Sequence, residues 1–330
     1  MTQNHLEALP SAAASSLLDR RSFLRASAIA GVAAIMRPKA LVSQAAAPVD
    51  RVAQMRQSSA NVPIKVTPLR DNLFLLQGAG GNMVAQTGPD GQLLIDTSFS
   101  PAVPRIREAL ASLSKDPLDA IINTHWHFDH TDGNEGLHAP GVSILAHTNT
   151  RERLATPQVM RLMDLHFPAS PAKALPTLTF DHEFTAYHNG DQIDMAHLDP
   201  AHTDTDIYIH FTKGDVLHVG DIWFNGFYPL IDDSSGGRIS GMVAASEQAL
   251  ALVGPQTKIV PGHGPLGDKA GLQSYRDMLA TVRDRVAKLK SSGSSLEQAV
   301  AQKPTADLDN TWGHGSMTPD VFVAQVYRTL

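Results

Sequence analysis

From about residue 62 the chain alternates short apolar runs with stretches of helical spacing. Residues 73–76, 83–86 and 92–95 are near-continuous runs of apolar and small side chains, and they predict strands. The Gly-rich segments Gly78-Ala79-Gly80-Gly81 and Gly88-Pro89-Asp90-Gly91 separate them as turns. Over 102–113, Ile106, Leu110 and Leu113 recur on one face and predict a helix. Short buried strands follow at 120–122, 142–146, 193–198, 207–211, 216–221 and 258–260. This alternation argues an α/β fold, and no repeat of solenoid length is present. Between residues 147 and 179, Met160, Leu162, Met163, Leu165 and Phe167 stand among four prolines. That stretch predicts either a loop over the site or a packed helix.

The first 45 residues follow a different pattern. Arg20-Arg21-Ser22-Phe23-Leu24-Arg25 resembles a twin-arginine motif, and the apolar run 26–36 behind it is too short to span a bilayer. Ser43-Gln44-Ala45 places small residues where a signal peptidase cuts. The chain therefore divides into an export signal over 1–45, a Pro-, Ser- and Gln-bearing linker over 46–61, and one catalytic domain with C-terminal helices over 62–330. The expected location is the periplasm, with the twin-arginine export machinery as a partner and no stable membrane insertion of the mature chain. Removing 1–45 takes away five basic and two acidic residues, leaving 22 basic against 31 acidic.

Composition narrows the chemistry. With 42% hydrophobic and 18% charged residues among 330, the chain is globular rather than disordered or fibrous. The absence of cysteine excludes disulfides, zinc ribbons, iron–sulfur clusters and thiol nucleophiles, so any metal sits on His and carboxylate. A net charge of −6 without a basic stripe argues against a nucleic-acid partner.

Donors concentrate at the exit of the strand over 120–122, in Asn123-Thr124-His125-Trp126-His127-Phe128-Asp129-His130. In an extended segment, side chains two apart face the same way, so His125 and His127 can hold one ion together. A turn after Phe128 lets Asp129 and His130 face a second ion beside it. A lone His-x-His is a weak signal, but four donors within six residues point to metal. Six residues cannot complete two coordination spheres, so the remaining donors must come from strand ends or tight loops downstream. Three are present: His202 in Pro200-Ala201-His202-Thr203-Asp204-Thr205, Asp221 at the end of the run 216–221, and His263 in Pro261-Gly262-His263-Gly264. His210 and His218 read as satisfied strand histidines and His147 as structural, while the other histidines carry no motif.

These segments, in this order and preceded by the strand-end Asp96 of Leu94-Ile95-Asp96-Thr97, resemble the metallo-β-lactamase superfamily over about residues 62–290. The resemblance implies a four-layer αβ/βα sandwich with a dinuclear zinc site at the edge between two mixed sheets. It implies two zinc ions per chain, with His125, His127 and His202 on the first and Asp129, His130 and His263 on the second. Asp221 matches the position that bridges both ions.

Two ions about 3.5–4 Å apart can share a water whose pKa falls toward ~7, giving a hydroxide nucleophile. Asp129 is expected to orient that nucleophile and relay its proton. In Trp223-Phe224-Asn225-Gly226-Phe227-Tyr228-Pro229, the residues Trp223, Asn225, Phe227 and Tyr228 are candidates for a substrate wall, with Asn225 or Tyr228 donating to a carbonyl; a hydrophobic plug accounts for the same side chains. The all-His/Asp donor set resembles the His-rich zinc β-lactamases, whereas a bridging Asp resembles thioesterases of the glyoxalase II type and lactonases. The expected function is an exported zinc hydrolase of a small-molecule amide, ester or lactone, β-lactams included. The alternatives are a glyoxalase II-type thioesterase and a non-catalytic exported metal-binding accessory. Di-iron members of the superfamily place Glu at the second motif position, where this chain has His127.

Overall fold

The computed structural model describes residues 50–330, so the export signal expected over 1–45, and linker residues 46–49, lie outside the described residues. Within the expected linker the structure differs: Arg51–Ser59 is a helix. Asp50 caps it, accepting from the Ala53 N–H at 3.0 Å. Val52 enters the core, and Arg56 forms two hydrogen bonds of 2.9 and 2.5 Å to Asp132. With Val52, Ala53 and Met55 as its apolar side chains, the segment has too narrow a stripe to announce itself as a helix.

The strands, in chain order, are β1 (Lys65–Arg70), β2 (Leu73–Gln77), β3 (Met83–Gln86), β4 (Gln92–Ile95), β5 (Leu118–Ile122), β6 (Ser143–His147), β7 (Gln158–Met160), β8 (Leu165–Phe167), β9 (Leu178–Phe180), β10 (Glu183–His188), β11 (Asp191–His197), β12 (Ile207–Phe211), β13 (Val216–His218) and β14 (Lys258–Val260). One sheet has the order β1-β2-β3-β4-β5-β6-β9, antiparallel to β4 and parallel beyond it. The other has the order β10-β11-β12-β13-β14, antiparallel until the parallel β13–β14 pair. Both sheets are mixed, as expected.

Side-chain alternation along these strands produces the four layers. In the first sheet Val84, Leu93, Ile95, Ile122 and Leu145 face inward and meet Ile193, Ile207, Ile209, Val216 and Val260 of the second. Their neighbours Met83, Ala85, Leu94, Ile121 and Ile144 face outward onto Ile106 and Leu110 of the helix Val103–Leu113. On the second sheet Leu217 and Ile259 face outward, under the helices Ile239–Leu252, Lys269–Ser291 and Pro319–Thr329. Because both faces of a central strand are buried, its sequence reads as an unbroken apolar run. Among the described residues no helix is long and apolar enough to cross a membrane.

The stretch after His147 is neither the loop nor the packed helix expected. A helix, Thr148–Ala155, leads into the antiparallel hairpin β7–β8. Met160, Leu165 and Phe167 of the hairpin are buried, and the Phe167 ring packs 5.7 Å from Trp126 and 5.0 Å from Phe128. A cavity of about 410 Å³ lies against Trp126, Phe128 and Phe167, and none of the expected metal ligands lines it.

Candidate metal centre

Every expected ligand emerges where a strand ends. Strand β5 runs into His125 and His127, and the short helix Phe128–Thr131 then presents Asp129 and His130. The loop between β11 and β12 carries His202, the 3-10 turn after β13 carries Asp221, and the residues after β14 carry His263. The fold gathers the seven into two groups whose candidate ligand atoms lie within 4.8 Å of one another: His125, His127, His202 and Asp221, and Asp129, His130 and His263.

Asp221 touches both groups. Its Oδ2 is 3.4 Å from His202 Nε2 and 3.9 Å from His125 Nε2 on one side, and 3.3 Å from His263 Nε2 on the other. Its Oδ1 is 3.1 Å from His130 Nε2. Asp129 Oδ2 lies 3.3 Å from His263 Nε2 and 3.7 Å from His130 Nε2. Close approach here requires glycine, because a β-carbon at Gly262 would overlap Asp221 Oδ1 and one at Gly81 would overlap the His130 ring.

Four of the five histidines are fixed by a hydrogen bond on the nitrogen turned away from the centre. His125 Nδ1 donates to Thr124 Oγ1 at 3.0 Å, and that hydroxyl donates onward to Asp96 at 2.7 Å. His130 Nδ1 donates to Asp96 Oδ2 at 2.7 Å, His202 Nδ1 to the Leu230 carbonyl at 2.8 Å, and His127 Nε2 to Asp232 Oδ2 at 3.1 Å. This network fixes which nitrogen of each ring points inward, the one left to bind a metal. His127 Nδ1 and His202 Nε2, both lone-pair donors in that arrangement, face each other at 2.8 Å. Two facing lone pairs repel unless a shared proton or a metal ion lies between them. The inward His125 Nε2 and Asp221 Oδ1 are buried with no hydrogen-bond partner. These orphaned, inward-facing N and O donors fit a cation such as zinc.

Electrostatics divide the centre. Burial, reinforced by His130, pushes the His125 imidazole well below its ordinary pKa, and burial pushes His202 down as well. At His130 and His263 burial works in the same direction, but Asp221 and Asp129 outweigh it; His130 rises well above the ordinary range and His263 to about 9. Burial opposes ionisation of Asp129 too, yet His130 and His263 bring it down to about 2, and the surrounding imidazoles hold Asp221 well below the carboxylate range. The carboxylates are thus ionised at neutral pH, as metal ligands must be.

The substrate wall expected after Asp221 is corrected in part. Trp223 and Tyr228 are fully buried: the indole packs against Gly267 and Gly271, and the phenol stacks on Phe322 and donates to Asp309. Large aromatics at a sheet-to-helix junction bury more area as a plug than as a wall. One N–H of the Asn225 amide is committed to the Pro265 carbonyl at 2.9 Å, which fixes the side chain and leaves the second N–H as the donor for substrate. Phe227 stays half-buried, its ring 5.8 Å from that of Phe224. Phe224, one of the four aromatics of that segment, stacks its ring on His263, a contact the sequence does not announce, and the same holds for the support given by Asp232, Thr124 and the Leu230 carbonyl. The sequence reading also missed Asn82, whose amide bonds the Pro261 and Gly264 carbonyls and so grips the His263 loop. His218 is the satisfied core histidine expected, donating to the Asn82 carbonyl.

Known proteins are similar to this chain in sequence or in fold. Among curated relatives, the human acyl-coenzyme A thioesterase MBLAC2 is 28% identical over 207 residues, 59% of this chain and 73% of that protein. The 2,4-dinitroanisole O-demethylase subunit alpha of Nocardioides sp. (strain JS1661) is 28% identical over 170 residues, 50% of this chain and 48% of that protein. The inverting sec-alkylsulfatase Pisa1 from Pseudomonas sp. superposes with a TM-score of 0.63 at 18% identity, covering 84% of this chain and 51% of its own. A metallo-beta-lactamase from Pontibacter korlensis superposes with a TM-score of 0.54 at 18% identity, covering 66% of this chain and 99% of its own. The chain thus spans about half the length of the demethylase subunit and of the alkylsulfatase, and at these identities the solved structures establish a shared fold. The family model of the metallo-beta-lactamase superfamily matches residues 77–279, more than half of the chain and every residue of the two ligand groups. Fold, donor set and this match together place the chain in the metallo-beta-lactamase superfamily.

Proposed function

We propose that this protein is a dinuclear zinc hydrolase of small-molecule acyl bonds, an amide (β-lactam rings included), ester or lactone, exported through the twin-arginine route to the periplasm. The observation that carries the reading is Asp221, whose two carboxylate oxygens reach imidazole nitrogens of both ligand groups. His125, His127 and His202 would hold one ion, Asp129, His130 and His263 the other, and Asp221 both. Bound zinc supplies Lewis acidity, lowering the pKa of a water toward ~7 and drawing electron density from an acyl oxygen.

The chain's own residues do the rest. Asp129 and His263 are the partly exposed members of the set, with side chains 19% and 22% accessible, so substrate approaches from their side. Asp129 is ionised at neutral pH, and its carboxylate both orients the attacking water and accepts its proton. Asp96, Thr124, Asp232 and the Leu230 carbonyl hold the imidazole planes, so the site need not reorganise during reaction. Phe224 and Phe227 offer an apolar surface beside His263.

A thioester is the second reading. It is favoured by the 28% identity to a protein named as an acyl-coenzyme A thioesterase, over 73% of that protein's length. Zinc analysis of the purified protein, combined with turnover of a β-lactam, a lactone, an aryl ester and an acyl thioester, tests both. Two zinc ions with preferential turnover of one acyl class supports the hydrolase and names its substrate. Two zinc ions with no turnover favours a metal-binding accessory, and absence of zinc refutes the proposal. Export is tested separately: replacing Arg20 and Arg21 by Lys is expected to leave the precursor in the cytoplasm, and unchanged fractionation would refute that route.

A further inference from the structure

Of the five histidines in the ligand groups, His263 is anchored differently. His125, His127, His130 and His202 each donate from the outward nitrogen to an oxygen acceptor. For His263 Nδ1 no hydrogen-bond partner exists among the described residues; its contacts run through Nε2, to Asp129, Asp221 and His130. What meets its ring is Phe224, with centroids 5.2 Å apart and planes inclined by only 19°.

Phe224 is itself held on several sides. It forms a bridge with His263 in the backbone, and the next residue, Asn225, donates its N–H to the His263 carbonyl at 2.9 Å. Its ring packs 5.8 Å from Phe227, and the Phe227 side chain lies so close to Gly315 that any β-carbon there would meet it at 2.7 Å. The Tyr228 N–H donates to the Trp312 carbonyl at 2.8 Å and its hydroxyl to Asp309 at 2.9 Å. Behind the Phe224 ring stands Phe227, which in turn meets Gly315, a residue beyond the part of the chain that the family model matches.

We propose that Phe224 is a positioning residue for the second ion: its ring fixes the plane of His263, as hydrogen bonds fix the planes of the other four imidazoles. A stacked ring restrains tilt but does not select which nitrogen points inward. The group formed by Asp129, His130 and His263 is accordingly the more adaptable one, and its hold on a cation depends on Phe224. The Phe224 ring also meets His202 of the other group, with centroids 5.8 Å apart and planes inclined by 56°, but the His202 plane is already held by its hydrogen bond to the Leu230 carbonyl, so the group formed by His125, His127 and His202 depends on Phe224 far less. The proposal rests on the metal reading given above and is independent of the substrate.

The test is zinc titration of the metal-stripped full chain against a competing chromophoric chelator. Phe224→Met conserves most of the volume while removing the ring, and Phe224→Tyr keeps the ring. Phe224→Met is expected to weaken the second zinc by about 10–100-fold, the range for lost ligand-orienting contacts, and to change the first far less, because His202 keeps its hydrogen bond to the Leu230 carbonyl. Phe224→Tyr is expected to bind both ions as the wild type does. If Phe224→Met does not fold, Phe227→Ala, which withdraws the support behind Phe224, is expected to shift the second ion more than the first in the same direction. Wild-type affinity for both ions in Phe224→Met and Phe227→Ala overturns the proposal, and so does equal weakening of both, since that reports general loss of packing. Failure of the wild-type chain to bind zinc overturns the metal reading itself.

Discussion

Asp96 sits fully buried at the end of β4 with φ of 59°, in the left-handed region that Asp tolerates better than most residues. Its carboxylate accepts from the Thr124 N–H at 2.8 Å, the Thr124 hydroxyl at 2.7 Å and His130 Nδ1 at 2.7 Å. In Asp96→Asn an amide N–H₂ would face one of these donors, and the relief available is to flip the His130 tautomer, placing a proton on the nitrogen that must bind metal. Zinc affinity at the second ion is expected to drop about 10–100-fold by the same titration, whereas Asp96→Glu, too long for the pocket, is expected to lower the melting temperature instead. Asp129→Asn keeps size and one oxygen but removes the charge. Its kcat is expected to fall ~10²–10⁴-fold with KM changed less, and unchanged kcat with both ions bound would show Asp129 to be a ligand alone. The seven donors were legible because each stands at a strand exit inside a short motif. Their supports were not: Asp232 reaches His127 from 105 positions away, and the Leu230 carbonyl leaves no mark in a side-chain pattern.

Elements that bury both faces were read closely: β3, β4 and β14 fall where their apolar runs stand, and β12, buried at alternate residues, was read from Ile207, Ile209 and Phe211. Elements without that signature escaped: the capped helix Arg51–Ser59, the hairpin β7–β8 of three-residue strands, and the largely exposed β10. A chain beginning at Asn61 loses that first helix, including the buried Val52 and the Arg56–Asp132 pair. It is expected to retain both ions while unfolding at lower urea, by about 1.5–3 kcal/mol for Val52 alone; an unchanged midpoint would show the helix to be dispensable. At the other edge, His147 of β6 stacks on His197 of β11 with centroids 3.7 Å apart and planes at 9°, tying the two sheets together. Burial, then His197, lowers the His147 pKa, so below about pH 6.5 the unfolded chain binds the proton more readily than the folded one. The stability of wild type relative to His147→Gln is therefore expected to be full above pH 7 and to shrink as pH falls below 6.5. Urea titrations at pH 7.5 and 5.5 measure this, and a constant difference would contradict it.

For the molecule as a whole, bound cations would complete an interior that otherwise crowds like groups, with His127 and His202 nitrogens 2.8 Å apart and His130 and His263 nitrogens 3.3 Å apart. A ligand present at ~100 times its Kd contributes about 2.7 kcal/mol. At ~2–4 °C per kcal/mol for a chain of this size, stripping the metal is expected to lower the melting temperature by about 5–10 °C, and a calorimetric midpoint indifferent to chelator would argue against bound ions. The layered architecture was legible as a class, because strand and helix alternate in sequence, but the assignment of strands to sheets rests on one crossing that no local pattern marks. Strands β1–β9 all belong to the first sheet or the hairpin, and β10–β14 to the second; the chain passes between them once, at the exposed pair Asp181-His182. His125, His127, Asp129 and His130 precede that pair, and His202, Asp221 and His263 follow it. Neither portion owns a full set of donors, so a chain severed between Asp181 and His182 becomes two pieces that zinc is expected to rejoin, turning a hydrolase into a metal-dependent reassembly pair whose association a pull-down with and without chelator would register.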